Sequence, residues 1–305
     1  MDSRLKSARV VVLLLLAAGA TYGWSNFKLY YFQAPGLVLL ATIIALVMYA
    51  PSLWVVSRLD QRGLPWRYKL FAFAFVAFFI TISSRWTQDA IDAGIRYWQA
   101  VGPSEEFCKM SPLLMLLLFA PGAVRGMRDR IVLGAIAGLS FAANEFATCF
   151  AVGNFPEKGW AALYTDIPAR WALGTEMHIL WGATTGGAIG YAVQARPGPA
   201  RWAVPLAIIA IVIATHGLQD WMGKYIAPLS LAVVAGPLAG LGLSTEAAGP
   251  GTLAYTAMLI YSATANTLLI NVLVIPILWW EIRLSRPADA GRGARAADAT
   301  PAREG

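Results

Sequence analysis

Apolar runs of about twenty residues recur along this chain, and each is long enough to cross a hydrocarbon core about 30 Å thick as a helix. Runs such as Leu37 to Val56, Ile131 to Val152 and Trp202 to Met222 alternate with short loops rich in Arg and Lys. Lipid offers no partner to a bare N–H or C=O, so these runs have to form helices that pair their own backbone. Composition agrees: 58% of the 305 residues are hydrophobic, 13% are charged and the mean hydropathy is +0.57. A soluble domain carries about 25% charged residues. The expected fold class is therefore all-α, a polytopic transmembrane helical bundle of about eight to nine helices.

The net charge of +7 is read through its placement in short loops, which sets orientation in a membrane, and is no argument for nucleic acid. Residues 1–9 form a basic N-tail and 10–83 three spans, although Arg4, Lys6, Arg9 and the small residues Ala18-Gly19-Ala20 also suit a cleavable signal peptide. Ser84 to Val101, extended to 103, places Ile91, Ile95 and Trp98 on one face and Asp89, Asp92, Arg96 and Gln99 on the other, as in an interfacial amphipathic helix. Four spans follow over 104–222, then C-terminal membrane helices over 223–284. There Ile226 to Leu243, broken by Pro228 and Pro237, is expected to be re-entrant and Thr252 to Trp280 long and continuous. The Ala/Arg/Gly/Pro tail 285–305 has nothing to bury and is expected to be disordered. Alternate loops carry twelve Lys and Arg against six, which puts the N-terminus in the cytoplasm. Cys108 and Cys149 fall in apolar runs and suggest no disulfide framework.

Charges inside apolar runs cost about 2.5–3.5 kcal/mol each near the bilayer centre, so the few that occur need a reason. Pro103-Ser104-Glu105-Glu106-Phe107-Cys108-Lys109 opens the fourth span. Ser104 reads as its N-cap, Glu105 and Glu106 as first-turn acids facing the positive helix end, and Lys109 as a cation within reach of either. Glu145 follows Phe141 by four residues and shares a face with Gly134 and Gly138. His178 heads a stripe of Gly182, Gly186 and Gly190, while His216 and Asp220 are again four apart, the spacing of an imidazole held by a carboxylate. Counted at about 1.5 Å per residue, all these groups fall in the outer leaflet although their helices alternate in direction, which points to one wet site.

In this order on successive helices, Glu105-Glu106-x-x-Lys109, Phe141-x-x-x-Glu145 and His216-x-x-x-Asp220 resemble the three motifs of the PrsW family of intramembrane proteases. They are similar, more distantly, to those of the type II CAAX prenyl endopeptidases. His178 with its small-residue stripe also resembles a recurrent feature of the family. The resemblance covers Glu105 to Asp220 and implies endoproteolysis of a membrane-anchored protein, the best-known member making the first cut in a bacterial anti-sigma factor. The implied partners are such a substrate and the bilayer, with the oligomeric state left open. The implied location is a bacterial plasma membrane, and the loop charges with the depth count are expected to put the site toward its outer leaflet.

The chemistry suits the residues as well. Peptide hydrolysis needs a water, a base and donors to the oxyanion. Glu106 or Glu105 is the expected base, assisted by Glu145. His216, oriented by Asp220, and His178 would stabilise the oxyanion or protonate the leaving amine. No cofactor is favoured, and zinc held by Glu145, His178 and His216 stays open, because two histidines and a glutamate are adequate ligands. Outside this class, a proton-coupled transporter would bury similar groups, and an inactive scaffold would keep them without using them.

Overall fold

The computed structural model describes residues 3–61, 63–163, 167, 176–195, 197–240 and 271–285, and every regular element among them is helical. Helix α1 is Ser3–Phe27 and passes into a π-helical turn, Lys28–Phe32. Then come α2 Pro35–Met48, α3 Ala50–Leu59, α4 Trp66–Asp92, α5 Tyr97–Phe119 and α6 Met127–Thr148. A second π-helical turn, Cys149–Asn154, leads to α7 Phe155–Lys158, followed by α8 Glu176–Gln194, α9 Ala200–Gly240 and α10 over 274–285.

Among the described residues three helices are long and apolar enough to cross a membrane: Trp66–Asp92, Met127–Lys158 and Ala200–Trp221. The α2–α3 pair makes a fourth if it is taken as one span bent by 61°. The all-helical membrane class stands, while the expected count of eight to nine helices is not confirmed. Leu37 to Val56 is bent because Pro51 can open a helix but cannot continue one, since its ring collides with the preceding turn.

The structure also differs from the expected helix limits. Ser84 to Val101 is not one amphipathic helix: its first part extends α4 and its last part begins α5. Gly94, at φ +88, divides them. The Gly94 N–H donates to the Ile91 carbonyl and the Ile95 N–H to that of Ala90, the paired bonds of a Schellman cap. Ser104 is consequently not an N-cap. It lies inside α5, whose interior also holds Pro103 and Pro112, so Glu105 and Glu106 sit mid-helix, beyond the help of the helix dipole. At the other end, 226–240 continues α9 instead of forming a separate re-entrant segment. Prolines inside a membrane helix are tolerated where neighbours and small adjustments satisfy the freed carbonyls. The expected sixth span is described from Glu176 onward, whereas most of 252–280 and the tail from 286 lie outside the described residues.

Helix α6 is the centre of the bundle, with nearly every residue from Met127 to Ala147 buried. Buried on nearly every side, most of its polar residues included, it is enclosed by α2, α4, α5 and α8. Its closest neighbour is α8. A Cβ on Gly134 would lie 2.0 Å from the Gly182 carbonyl oxygen, and one on Gly138 would lie 1.9 Å from that of His178. On the α8 side, a Cβ on Gly186 would lie 2.2 Å from the Arg130 carbonyl oxygen. The glycine faces foreseen on both helices thus meet each other, backbone against backbone. Polar pairs tie other helices to α6: Ser140 donates to the Phe73 carbonyl at 2.6 Å, and Tyr31 to Asn144 Oδ1 at 2.8 Å. Both cysteines are free thiols.

Candidate active site

Four helices supply the site. Helix α5 brings Glu105, Glu106 and Lys109, α6 brings Phe141 and Glu145, α8 brings His178, and α9 brings His216 and Asp220. Neighbouring residues on a helix point about 100° apart, and the glutamates accordingly face different ways. Glu106 turns inward and is wholly buried beside Lys109, three residues on. Glu105 keeps 15% of its side chain exposed and lines a cavity.

Lys109 is the hub. Its Nζ lies 2.5 Å from Glu106 Oε1 and 2.8 Å from His178 Nδ1. It also sits over two rings, 4.8 Å from the centroid of Phe141 and 5.2 Å from that of Trp181. An ammonium can only donate, so His178 Nδ1 accepts, and the proton of the neutral imidazole then resides on Nε2, which faces Glu145 Oε2 at 3.1 Å. Glu106 Oε1 serves a second partner, accepting from His216 Nδ1 at 2.8 Å. The other nitrogen of His216 faces Glu105 Oε2 at 3.3 Å. The eight residues singled out from the motifs therefore gather in one cluster.

Asp220 does not hold His216 in the way its spacing suggested. Its Oδ2 is 3.8 Å from His216 Nε2, too far for a hydrogen bond, and Glu106 has taken the orienting role. Sequence reasoning also passed over Trp181. This ring stacks on His216 with centroids 4.4 Å apart and meets His178 edge-on at 5.4 Å. Its indole N–H donates to Asn271 Oδ1 at 2.9 Å, which fixes the ring. The available signal was its position three residues after His178, on the same helix face.

The cavity before these groups measures about 240 Å³ and lies between α4, α5 and α6. Thr87, Tyr97, Glu105, Phe141, Glu145 and Cys149 are among its walls. At about 30 Å³ per molecule it has room for several waters or a short stretch of peptide. The π-helical turn after α6 contributes Cys149 to its rim, an irregularity often found where a helix serves a function.

A bundle of membrane-spanning helices enclosing four carboxylates, two imidazoles and a lysine beside a cavity has the kind of intramembrane ionisable cluster that marks a functional site. The sequence profile described as PrsW family intramembrane metalloprotease matches residues 64–243, more than half of the chain, which therefore belongs to that family. The membership implied by the three motifs is borne out. Comparison with curated proteins and with solved structures gave no match.

The family description implies a metal, and the donor atoms can be tested for it. Glu105, His178 and His216 each offer a ligand atom, all within 4.8 Å of one another. This differs from the expected trio in having Glu105 where Glu145 stood. Two histidines and a glutamate are the right chemistry for zinc, and the bond from His216 Nδ1 to Glu106 is the kind of outer contact that orients a ligand. His178 fits less well. Its Nδ1 lone pair is occupied by Lys109 and its Nε2–H by Glu145, so it would ligate only by releasing one of them.

Proposed function

We propose that this chain is an intramembrane endoprotease that hydrolyses a peptide bond of a single-pass membrane protein, using a water activated by Glu105. The observation that carries this reading is that Glu105 and Glu145 both face the cavity, while Lys109, Glu106, His178 and His216 are bonded to one another behind them. Glu105 takes a proton from the water as its oxygen bonds to the scissile carbonyl carbon. The C–N bond then breaks as a proton reaches the leaving nitrogen, from Glu105 or from His216 beside it. Glu106 acts as a positioning residue, because one of its oxygens already binds both Lys109 and His216. Glu145 holds the Nε2–H of His178 and presents the second carboxylate to the water.

A metal-dependent form of the same activity is favoured by the proximity of Glu105, His178 and His216. Bound there, a zinc ion would polarise the scissile carbonyl and acidify its water. Glu145, on the cavity wall, would then remain as the base. Zinc content of the purified protein, and recovery of activity after chelation and metal return, separate the two forms.

The loop charges favour a cytoplasmic N-terminus and a site toward the extracytoplasmic leaflet of a bacterial plasma membrane. The substrate segment is accordingly the extracytoplasmic juxtamembrane stretch of a signalling protein, such as an anti-sigma factor. The test is cleavage of single-pass reporters by the reconstituted protein, alongside Glu105→Gln, Glu145→Gln and His216→Ala. Folded variants that cut as fast as the wild type would overturn the proposal.

A further inference from the structure

Two spaces lie on opposite sides of one hydrogen bond. The first is the active-site cavity, whose wall includes Thr87 of α4. The second is an apolar groove of about 370 Å³ along α1, α4 and α5, lined among others by Leu15, Phe79, Trp86, Ser104, Phe107 and Leu114. The hydroxyls of Thr87 and Ser104 are 2.6 Å apart and form the seam between the two. Glu105 follows Ser104 directly, so the reacting carboxylate stands just behind it.

Other features mark this seam as a place where helices can part. Pro103, immediately before Ser104, has no N–H to give the carbonyl of Gln99, so α5 is weakened at this level. The Schellman cap at Gly94 ends α4 shortly beyond Thr87, leaving a short turn between the two helices. The Ser83 hydroxyl, one turn before Thr87, lines the groove and is buried, yet it has no hydrogen-bond partner among the described residues. A polar group left in that condition is unfavourable unless something binds it. An acyl chain offers nothing to a hydroxyl, whereas each carbonyl of a helix, though bonded within it, keeps a second lone pair that can accept from Ser83.

We infer that the groove receives the transmembrane helix of the substrate, and that α4 and α5 part at the Thr87–Ser104 bond to pass its juxtamembrane segment to Glu105. This rests on the proteolytic reading of the site and adds the route by which substrate reaches it. The Thr87–Ser104 bond stands between groove and cavity, and the unpartnered Ser83 hydroxyl in the groove calls for a carbonyl, which selects the substrate helix over an acyl chain as its occupant.

The test has two arms. In the first, p-benzoylphenylalanine replaces Phe107 in the groove or, as the control, Leu206 on α9, which is 62% exposed. The reconstituted protein is irradiated with a biotinylated single-pass peptide of leucine and alanine flanked by lysines. Capture at 107 exceeding capture at 206 by about tenfold, a difference of about 1.4 kcal/mol, is expected. Equal capture, or capture of lipid alone at 107, overturns the inference. In the second arm, Thr87→Cys and Ser104→Cys are introduced with Cys108→Ala and Cys149→Ala, and the new pair is oxidised. Compared with the same variant in its reduced form, oxidation should lower cleavage of a membrane-anchored reporter at least about tenfold, reversibly, while cleavage of the same sequence as a detached soluble peptide is alike in both forms. Unchanged cleavage of the anchored reporter by the bridged protein overturns the route. If the wild type cuts neither reporter, the protease reading itself fails, and capture at 107 alone decides whether the groove holds a helix.

Discussion

Glu105 and Glu106 are adjacent in sequence but differ in what their loss should do. Glu105→Gln is expected to lower kcat/KM by about 10²- to 10⁴-fold, the usual worth of a general base, with little change in the unfolding midpoint in detergent. Glu106→Gln removes the charge that Lys109 and His216 both bind in a fully buried setting. Its expected cost is about 3–5 kcal/mol of stability, visible as a lowered midpoint. The opposite pattern would exchange the two roles. Asp220→Asn is a milder change: at 3.8 Å from His216, its loss should slow turnover by less than about tenfold. The chemical residues were legible because a charge inside an apolar run stands out and needs a partner. Their pairing was less so, since i and i+4 spacing says only that His216 and Asp220 share a face. The contact His216 makes instead depends on how α5 crosses α9, and no local pattern encodes that.

For the helices, the glycines of α6 and α8 give the sharpest test. Gly134→Val or Gly182→Val forces the two backbones apart, because a Cβ at either position would sit within 2.3 Å of a carbonyl oxygen on the other helix. Such overpacking costs about 1–3 kcal/mol or more and should lower the unfolding midpoint. Gly36→Val in α2, where no atom outside the local helix backbone lies within 4 Å of the added Cβ, is the matched control and should lower it far less. The small-residue faces were readable from the four-residue repeat, whereas their meeting each other was not. Helix ends were not, because Gly94 stops α4 within a stretch whose apolar spacing continues past it. Pro103, conversely, fails to start α5 despite being a good starting residue. The end of α4 is a local cap at Gly94, while Ser104, inside α5, donates back to the Val101 carbonyl and meets Thr87 of α4.

Over the whole molecule, the loop charges predict sidedness. A cysteine replacing Gly94 should react with a membrane-impermeant maleimide on intact cells, and one replacing Gly122 only after permeabilisation. Reversed labelling would place the site toward the cytoplasm and favour a substrate segment there. The membrane class and the cluster at its heart could be read from the chain, whereas the number of crossings could not. Helix α9 shows why: its 41 residues span about 60 Å, twice a bilayer core, so counting apolar runs does not count passages.

The seating of α6 directly on α8 has a mechanical consequence. Two rods in backbone contact along their length behave as an anvil, and Glu145 and His178 are fixed to it. Any widening that lets a polypeptide reach the reactive water must come from the opposite jaw, formed by α4 and α5. Glu145 and His178 are thus kept still, while Glu105, carried on α5, travels with the half that admits the chain.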